Sequence, residues 1–353
     1  MANIVLKSFG DIELRNTFFD SLREDYKEFD TWYCKKTIGN EKAYVLYENN
    51  KLLCFLYLKK EYPVDNVNIK PELDISRPWI KVGTLKVDPH NTKLGERLIK
   101  RIFDFAISKN IYDVYVTVFP KHLGLIKLLE RYGFYKWGNK NNELIFIKRI
   151  PTKIDEIKNN IYLDYPSICA RNTNKYVLSI YPEYHTGMFS DSILKTENFD
   201  ILKDTSEANS IHKIYITRMD GVENLKRGDL LIIYRTKDKT APNANYSSVA
   251  TSLCVVEEYK NINSFNSKEE FVGYCKPYNI FTDIELSKIY ETKKFTKIIK
   301  MTYNISFKKR VVLNDIRQIL KTIPNYMGFY PLDEDEFRAI LNYGKVNESI
   351  IID

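Results

Sequence analysis

The sequence predicts two successive domains: a mixed α/β domain over residues 1–150, and a second α+β domain over residues 175–353 with the strand content of a β-barrel. Three observations carry this. Through the first 150 residues, runs of period two alternate with runs of helical spacing, whereas short strands dominate after residue 175. Between them, residues 150–175 are polar and irregular with two prolines, so a linker is expected at 151–174. The length of 353 residues also suits two cores of ordinary size.

In chain order, 4–9 is a short apolar run read as a first strand. A helix is expected over 17–36, where Phe18, Leu22, Tyr26, Phe29 and Tyr33 share a face. Two β-rich runs, 42–47 and 52–58, flank Glu48-Asn49-Asn50-Lys51, a hairpin turn. A loop over 62–78 leads into a strand at 79–87, stopped by Asp88-Pro89. Leu98, Ile99, Ile102, Phe103 and Ala106 then mark one face of an amphipathic helix over 95–109. Strand 113–119 alternates through Val114, Val116 and Val118 up to Pro120. Leu125, Leu128, Leu129 and Tyr132 follow at i, i+3, i+4 and i+7, with Gly133 as C-cap. A closing hairpin pairs 135–137 with 143–147. The order is β-α-β-β-β-α-β-α-β-β.

In the second half, strands are expected at 176–180, 214–217, 230–234, 250–256 and 295–305. Helices fit 268–274 and 282–290, the latter opened by a Thr282/Glu285 capping box. Two more, at 314–321 and 334–343, form a helical C-terminal extension, the last running from Asp333/Glu336 to Gly344.

The net charge of +8 is unevenly placed. Residues 1–150 hold 26 Lys/Arg against 19 Asp/Glu, and 81–150 alone hold 14 against 6. Residues 151–353 are nearly balanced, at 28 against 27. An excess concentrated in this way suits a polyphosphate-bearing cofactor, a nucleic acid or a solvated surface. Five cysteines without a C-x-x-C, and four scattered histidines, argue against a disulfide framework or a metal site. With no apolar run of membrane-spanning length and an early polar start, a cytoplasmic protein without membrane association is expected.

The chemistry concentrates where strand 79–87 meets the following helix, through Leu85, Lys86, Val87, His90, Asn91, Thr92, Lys93, Leu94, Gly95, Glu96 and Arg97. A strand entering a tight loop and then a helix N-terminus brings free N–H groups and the positive end of the helix dipole together, a site for pyrophosphate. Gly95 allows close backbone approach, and Lys93, Arg97 and Lys100 add positive charge. With the strand at 114–119 and the ending Leu128-Leu129-Glu130-Arg131-Tyr132-Gly133-Phe134, residues 4–149 resemble the GNAT N-acetyltransferase family. The likeness implies a mixed sheet with helices on both faces. It also implies acetyl-CoA as cofactor, held by the strand backbone at Leu85–Val87 and by the loop. Of the family's Gln/Arg-x-x-Gly-x-Gly/Ala pattern, only the final glycine is kept, at Gly95; His90 and Lys93 replace the others. The tyrosine that usually acts as acid falls at Leu129, and the glutamate often found early in the fourth strand falls near Gly83. His122, where the family often has Asn, is the candidate base; Tyr115, Thr117 and Tyr132 are further catalytic candidates.

The second half is similar to the PUA-like superfamily that includes ASCH and EVE domains. Lys175-Tyr-Val-Leu-Ser-Ile180 with Pro182 and Tyr184, Leu225-Lys-Arg-Gly-Asp-Leu-Leu-Ile-Ile-Tyr234 and Ala250–Glu257 carry the likeness. It implies recognition of RNA or a modified nucleotide, with Lys175, Tyr181, Tyr184, Arg235, Lys237 and Lys239 as candidates. Three readings stand: an acetyltransferase whose second domain presents a nucleic-acid acceptor such as tRNA, or an acceptor associated with nucleic acid; a non-catalytic acetyl-CoA-binding scaffold joined to a nucleic-acid module; and an acetyltransferase for a small amine or a protein.

Overall fold

The computed structural model describes residues 3–62, 68–192, 205–238 and 243–353. These fall into two compact units, one of residues 3–130 and 134–149, the other of 131–133, 150–192 and the described part of 205–353.

The first unit contains β1 (Val5–Ser8), α1 (Asp20–Asp25), α2 (Phe29–Ile38), β2 (Lys42–Glu48), β3 (Lys51–Glu61), β4 (Ile69–Lys70), β5 (Trp79–Val87), α3 (Leu94–Ser108), β6 (Asp113–Val118), α4 (Leu123–Arg131), β7 (Tyr135–Lys140) and β8 (Glu143–Arg149). Its eight strands form one mixed sheet in the order β1-β2-β3-β5-β6-β8-β7-β4. Only β5 and β6 run parallel, and α3 is the crossover between them. The β2–β3 hairpin turns through Asn49 and Asn50, both left-handed at φ 48° and 62°, the two-residue turn that matches strand twist. Phe29 and Tyr33 of α2 pack with Phe9 and Phe19 onto Ala43, Val45, Phe55 and Tyr57 of the sheet. The apolar stripe of α3 packs against β3 and β5.

The helix expected over 17–36 is broken. A 3-10 turn at Thr17–Phe19 precedes α1, and Tyr26 is extended before α2 begins. The break lets Phe19 and Phe29 join the core while Tyr26 turns away to pack on Phe119, ring centres 5.2 Å apart. In the loop expected over 62–78, Ile69 and Lys70 pair with β7; two residues are too few to show a periodicity.

The second unit contains α5 (Ile161–Asp164), β9 (Ile168–Cys169), β10 (Lys175–Ile180), α6 (Pro182–Met188), α7 (Ser206–Asn209), β11 (His212–Thr217), β12 (Leu230–Arg235), α8 (Ala244–Ser247), β13 (Val249–Asn261), α9 (Lys268–Cys275), α10 (Asp283–Thr292), β14 (Lys297–Val312), α11 (Leu313–Ile319), β15 (Phe329–Leu332), α12 (Glu334–Tyr343) and β16 (Ile351–Ile352). Six strands form a mixed sheet, β11-β14-β13-β12-β10-β15, in which only β10 and β12 are parallel. Among the described residues no pairing of its two edge strands, β11 and β15, with each other is recorded. All six residues of β12 are buried, because one face packs with Phe337 and Ile340 of α12 and the other with Met188, Phe189 and Met301. The capping boxes at Thr282/Glu285 and Asp333/Glu336 form as the sequence predicts. The stretch 151–174, expected as a linker, carries α5 and β9, and β9 pairs in parallel with β16. Its partner lies some 180 residues away, so local composition carries no sign of it.

Candidate functional site

The pairing of β5 with β6 covers only Ile80–Val82 and Val114–Val116. On its other edge β5 pairs with β3, where Tyr57 faces Thr84 and Leu58 faces Val82, leaving Gly83 as an extra residue. Such a bulge bends the strand that carries it. Glycine is required because a Cβ at position 83 would lie 2.6 Å from Cδ1 of Tyr57. Beyond the bulge β5 parts from β6, so the inner backbone edge of Gly83–Leu85 faces an opening instead of a strand.

That opening is a cleft open to solvent. Its walls are Val82–Leu85 of β5, Val116–Phe119 at the end of β6, Leu22, Asp25 and Tyr26 at the end of α1, Phe29 of α2, and His122 and Leu125 at the start of α4. His122 Nε2 lies 2.7 Å from Oδ2 of Asp25, whose side chain is 4% exposed against 42% for the histidine. The Lys121 ammonium pairs with the other oxygen, Oδ1. Burial pushes the Asp25 carboxyl up, but its bonds to Lys121 and His122 outweigh burial and hold it below the usual carboxylate range. No hydrogen bond to His122 Nδ1 is recorded among the described residues. The Tyr26 hydroxyl donates to Oε1 of Glu143 at 2.5 Å; burial and that carboxylate push the phenol far up, so it stays protonated. Lys86 donates to Ser21 Oγ and lies over the Phe18 ring; burial pushes its ammonium down.

The loop from β5 to α3 is braced by Asp88, whose N–H donates to Leu53 O and whose carboxylate pairs with Lys51. His90 Nδ1 lies 2.5 Å from Asp88 O and His90 Nε2 3.2 Å from Thr92 Oγ1, while Asn91 and Lys93 are left-handed at φ 63° and 56°. Lys93 is the N-cap of α3 and makes no side-chain cap; its carbonyl accepts from the Glu96 N–H at 2.9 Å. Of the positive charge expected here, Lys93 stays at the loop. Arg97 is buried and donates to Oδ1 of Asn3, and Lys100 is buried against Asp104; Leu94 and Glu96 are buried as well. A Cβ on Gly95 would lie 2.9 Å from Cδ2 of Leu128, so the glycine serves the approach of α4 to α3.

Among the expected catalytic side chains, His122 and Thr117 line the cleft. Tyr115 does not: it is fully buried with Trp79, Ile145 and Ile147, and its hydroxyl meets Glu61. Tyr132 is also fully buried and outside the lining, and Leu129 is packed away from solvent. Tyr115 lies where β6 still pairs with β5, opposite Lys81, whereas Thr117 lies beyond the end of that pairing. The sequence reading missed Asp25, because 97 residues separate it from His122 and no spacing signal links them.

In the second unit the nucleic-acid candidates separate by exposure. Tyr181 is 56% exposed, and Lys237 is exposed. Tyr184 is half-buried against Phe281. Lys175 pairs with Glu334 at 2.6 Å. Arg235, expected at the surface, is instead buried, its guanidinium 1% exposed and 2.8 Å from Asp238, because β12 is covered on both faces. Lys239 lies outside the described residues. Among the described residues no group of His, Cys, Asp and Glu has metal-site geometry, and no helix is long and apolar enough to cross a membrane.

No family model matches the sequence, and no curated protein matches it. Solved structures that it resembles include ASCH from Zymomonas mobilis, 9% identical over 48% of this chain and 94% of that chain, with a TM-score of 0.31. The Campylobacter jejuni N-acetyltransferase PseH in complex with acetyl coenzyme A is 14% identical over 42% of this chain and 99% of that chain, TM-score 0.29. The Bacillus subtilis N-acetyltransferase YlbP in complex with coenzyme A is 14% identical over 42% and 97%, TM-score 0.28. The neighbours thus include both an ASCH protein and N-acetyltransferases, each matching somewhat under half of this chain.

Proposed function

We propose that the first unit binds acetyl-CoA and transfers its acetyl group to an amine, and that the second unit presents an acceptor that is, or is bound to, nucleic acid. The parting of β5 from β6 at Gly83 carries this reading. It leaves Leu85, Lys86 and Val87 without a β6 partner, with Leu85 lining the cleft, and we assign this strand edge to the amides of a pantetheine arm. The N-terminus of α3 with Lys93 then suits the pyrophosphate. When bound, acetyl-CoA supplies an activated thioester: the amine nitrogen bonds to the acetyl carbon, the carbon–sulfur bond breaks, and the proton lost from nitrogen balances the one gained by sulfur. We assign His122, on the cleft wall, to take the amine proton. Apolar Leu22, Phe29, Phe119 and Leu125 limit water around the reacting groups. For the acceptor, the support is exposed Tyr181 as a stacking surface and exposed Lys237. The buried Leu129, where the resembled family has a tyrosine acid, favours a second reading, an acetyl-CoA-binding scaffold without turnover.

Calorimetric titration with acetyl-CoA, followed by thioester hydrolysis in the same sample, tests the reading. Lys93→Glu is expected to weaken binding about tenfold or more, by placing repulsion at the helix N-terminus. His122→Gln is expected to keep binding and lose hydrolysis. Absence of binding by the unaltered protein refutes the proposal; binding without hydrolysis selects the scaffold.

A further inference from the structure

We propose that Asp25 is a positioning residue that fixes the His122 tautomer, so that Nδ1 is the atom that receives the substrate's proton in the cleft. This rests on the acetyl-transfer reading of that cleft.

An ionised carboxylate only accepts hydrogen bonds, so the 2.7 Å contact to Asp25 Oδ2 requires the neutral imidazole to carry its hydrogen on Nε2. The lone pair then sits on Nδ1. The carboxylate cannot easily rotate, because its other oxygen pairs with Lys121 and its side chain is 4% exposed. Lys121 also makes Asp25 a poor proton acceptor, so a proton taken at Nδ1 leaves an imidazolium beside a carboxylate that stays ionised. The charged groups against His122 are Asp25 from α1 and Lys121 from its own loop. Around Asp25 the titratable set is completed by Tyr26, bonded to Glu143 of β8, and Lys86 of β5. Phe119, 6.4 Å from the imidazole between ring centres, supplies an apolar side.

The test is NMR of the imidazole nitrogens and carbons in the full chain across pH, with His122 assigned by the signal lost in His122→Gln. Neutral His122 is expected as the Nε2–H tautomer. Asp25→Asn should shift His122 toward the Nδ1–H tautomer, because an amide can donate its N–H to Nε2 where a carboxylate only accepts. Lys121→Gln, at a side chain 61% exposed, should keep the Nε2–H tautomer, which keeps the test open even if Asp25→Asn misfolds. Acetyl-CoA hydrolysis by water supplies the second readout: Asp25→Asn should lower kcat with KM unchanged, whereas a purely structural role would raise KM as well. An Nδ1–H tautomer in the unaltered protein or in Lys121→Gln, or an unchanged tautomer in Asp25→Asn, overturns the proposal. If the tautomers behave as expected but acetyl-CoA does not bind, the acetyl-transfer reading fails and the Asp25–His122 pairing stands.

Discussion

Replacing Gly83 with alanine tests why the central sheet opens. The position has no left-handed backbone requirement, so the whole effect comes from the added methyl. That methyl would stand 2.6 Å from Cδ1 and 3.1 Å from Cε1 of Tyr57, where carbon contacts settle at about 3.5–4.0 Å. The ring cannot retreat easily: Tyr57 is 2% exposed and packs edge-on against Phe9 and Trp32, at 5.3 and 5.8 Å. Overpacking of this kind costs about 1–3 kcal/mol. With m near ~2 kcal/mol/M, the urea midpoint should fall by about 0.5–1.5 M. The protein carries its own probe, because all three tryptophans, Trp32, Trp79 and Trp137, belong to the first unit. Tryptophan fluorescence therefore follows that unit's unfolding within the full chain. Tyr57→Leu removes the ring, so the double variant should cost less than the sum of the single variants. A Gly83→Ala protein within ~0.5 kcal/mol of the unaltered one would refute the close approach at the bulge.

Three further predictions concern burial and exposure. Arg235→Ala should destabilise the second unit by about 1–3 kcal/mol, measured by circular dichroism during urea unfolding, because it opens a buried site beside Asp238. Tyr181→Ala should leave stability within ~0.5 kcal/mol and weaken binding of a short single-stranded RNA; equal RNA affinity would remove Tyr181 from the interface. Burial pushes the Cys275 thiol up to about 12, while Cys34 is exposed. A thiol reagent at pH 8 should therefore modify Cys34 in the native protein and reach Cys275 only on unfolding, and early labelling of Cys275 in mass spectra would contradict its placement.

Legibility in the sequence followed the range of the interactions. The alternation of Val114, Val116 and Val118, the stripe of α3 and the Asn49-Asn50 turn are local patterns, and each appears in the structure. The capping boxes before α10 and α12 are equally local, closing over three residues. Where a residue's neighbours were distant, reading failed: Ile168 pairs with Ile351, and Arg235 is covered from both faces of its sheet. Gly95 was expected to let the backbone approach a pyrophosphate; the group that stands close to it in the structure is the Leu128 side chain.

By itself the sequence determined most of the strand and helix order in the first 150 residues, short of β4 and the break at Tyr26, and the loop-to-helix junction at Lys93–Gly95, because periodicity, caps and turns act over a few residues; the candidacy of His122 came from the family resemblance. Only the tertiary structure decided which side chains meet in the cleft. It joined Asp25 to His122, turned Tyr115 toward Glu61, and packed Leu129, Arg97 and Lys100 inside. A cleft is made where strands part and helix ends converge, so its membership depends on contacts across about a hundred residues, which no local pattern encodes.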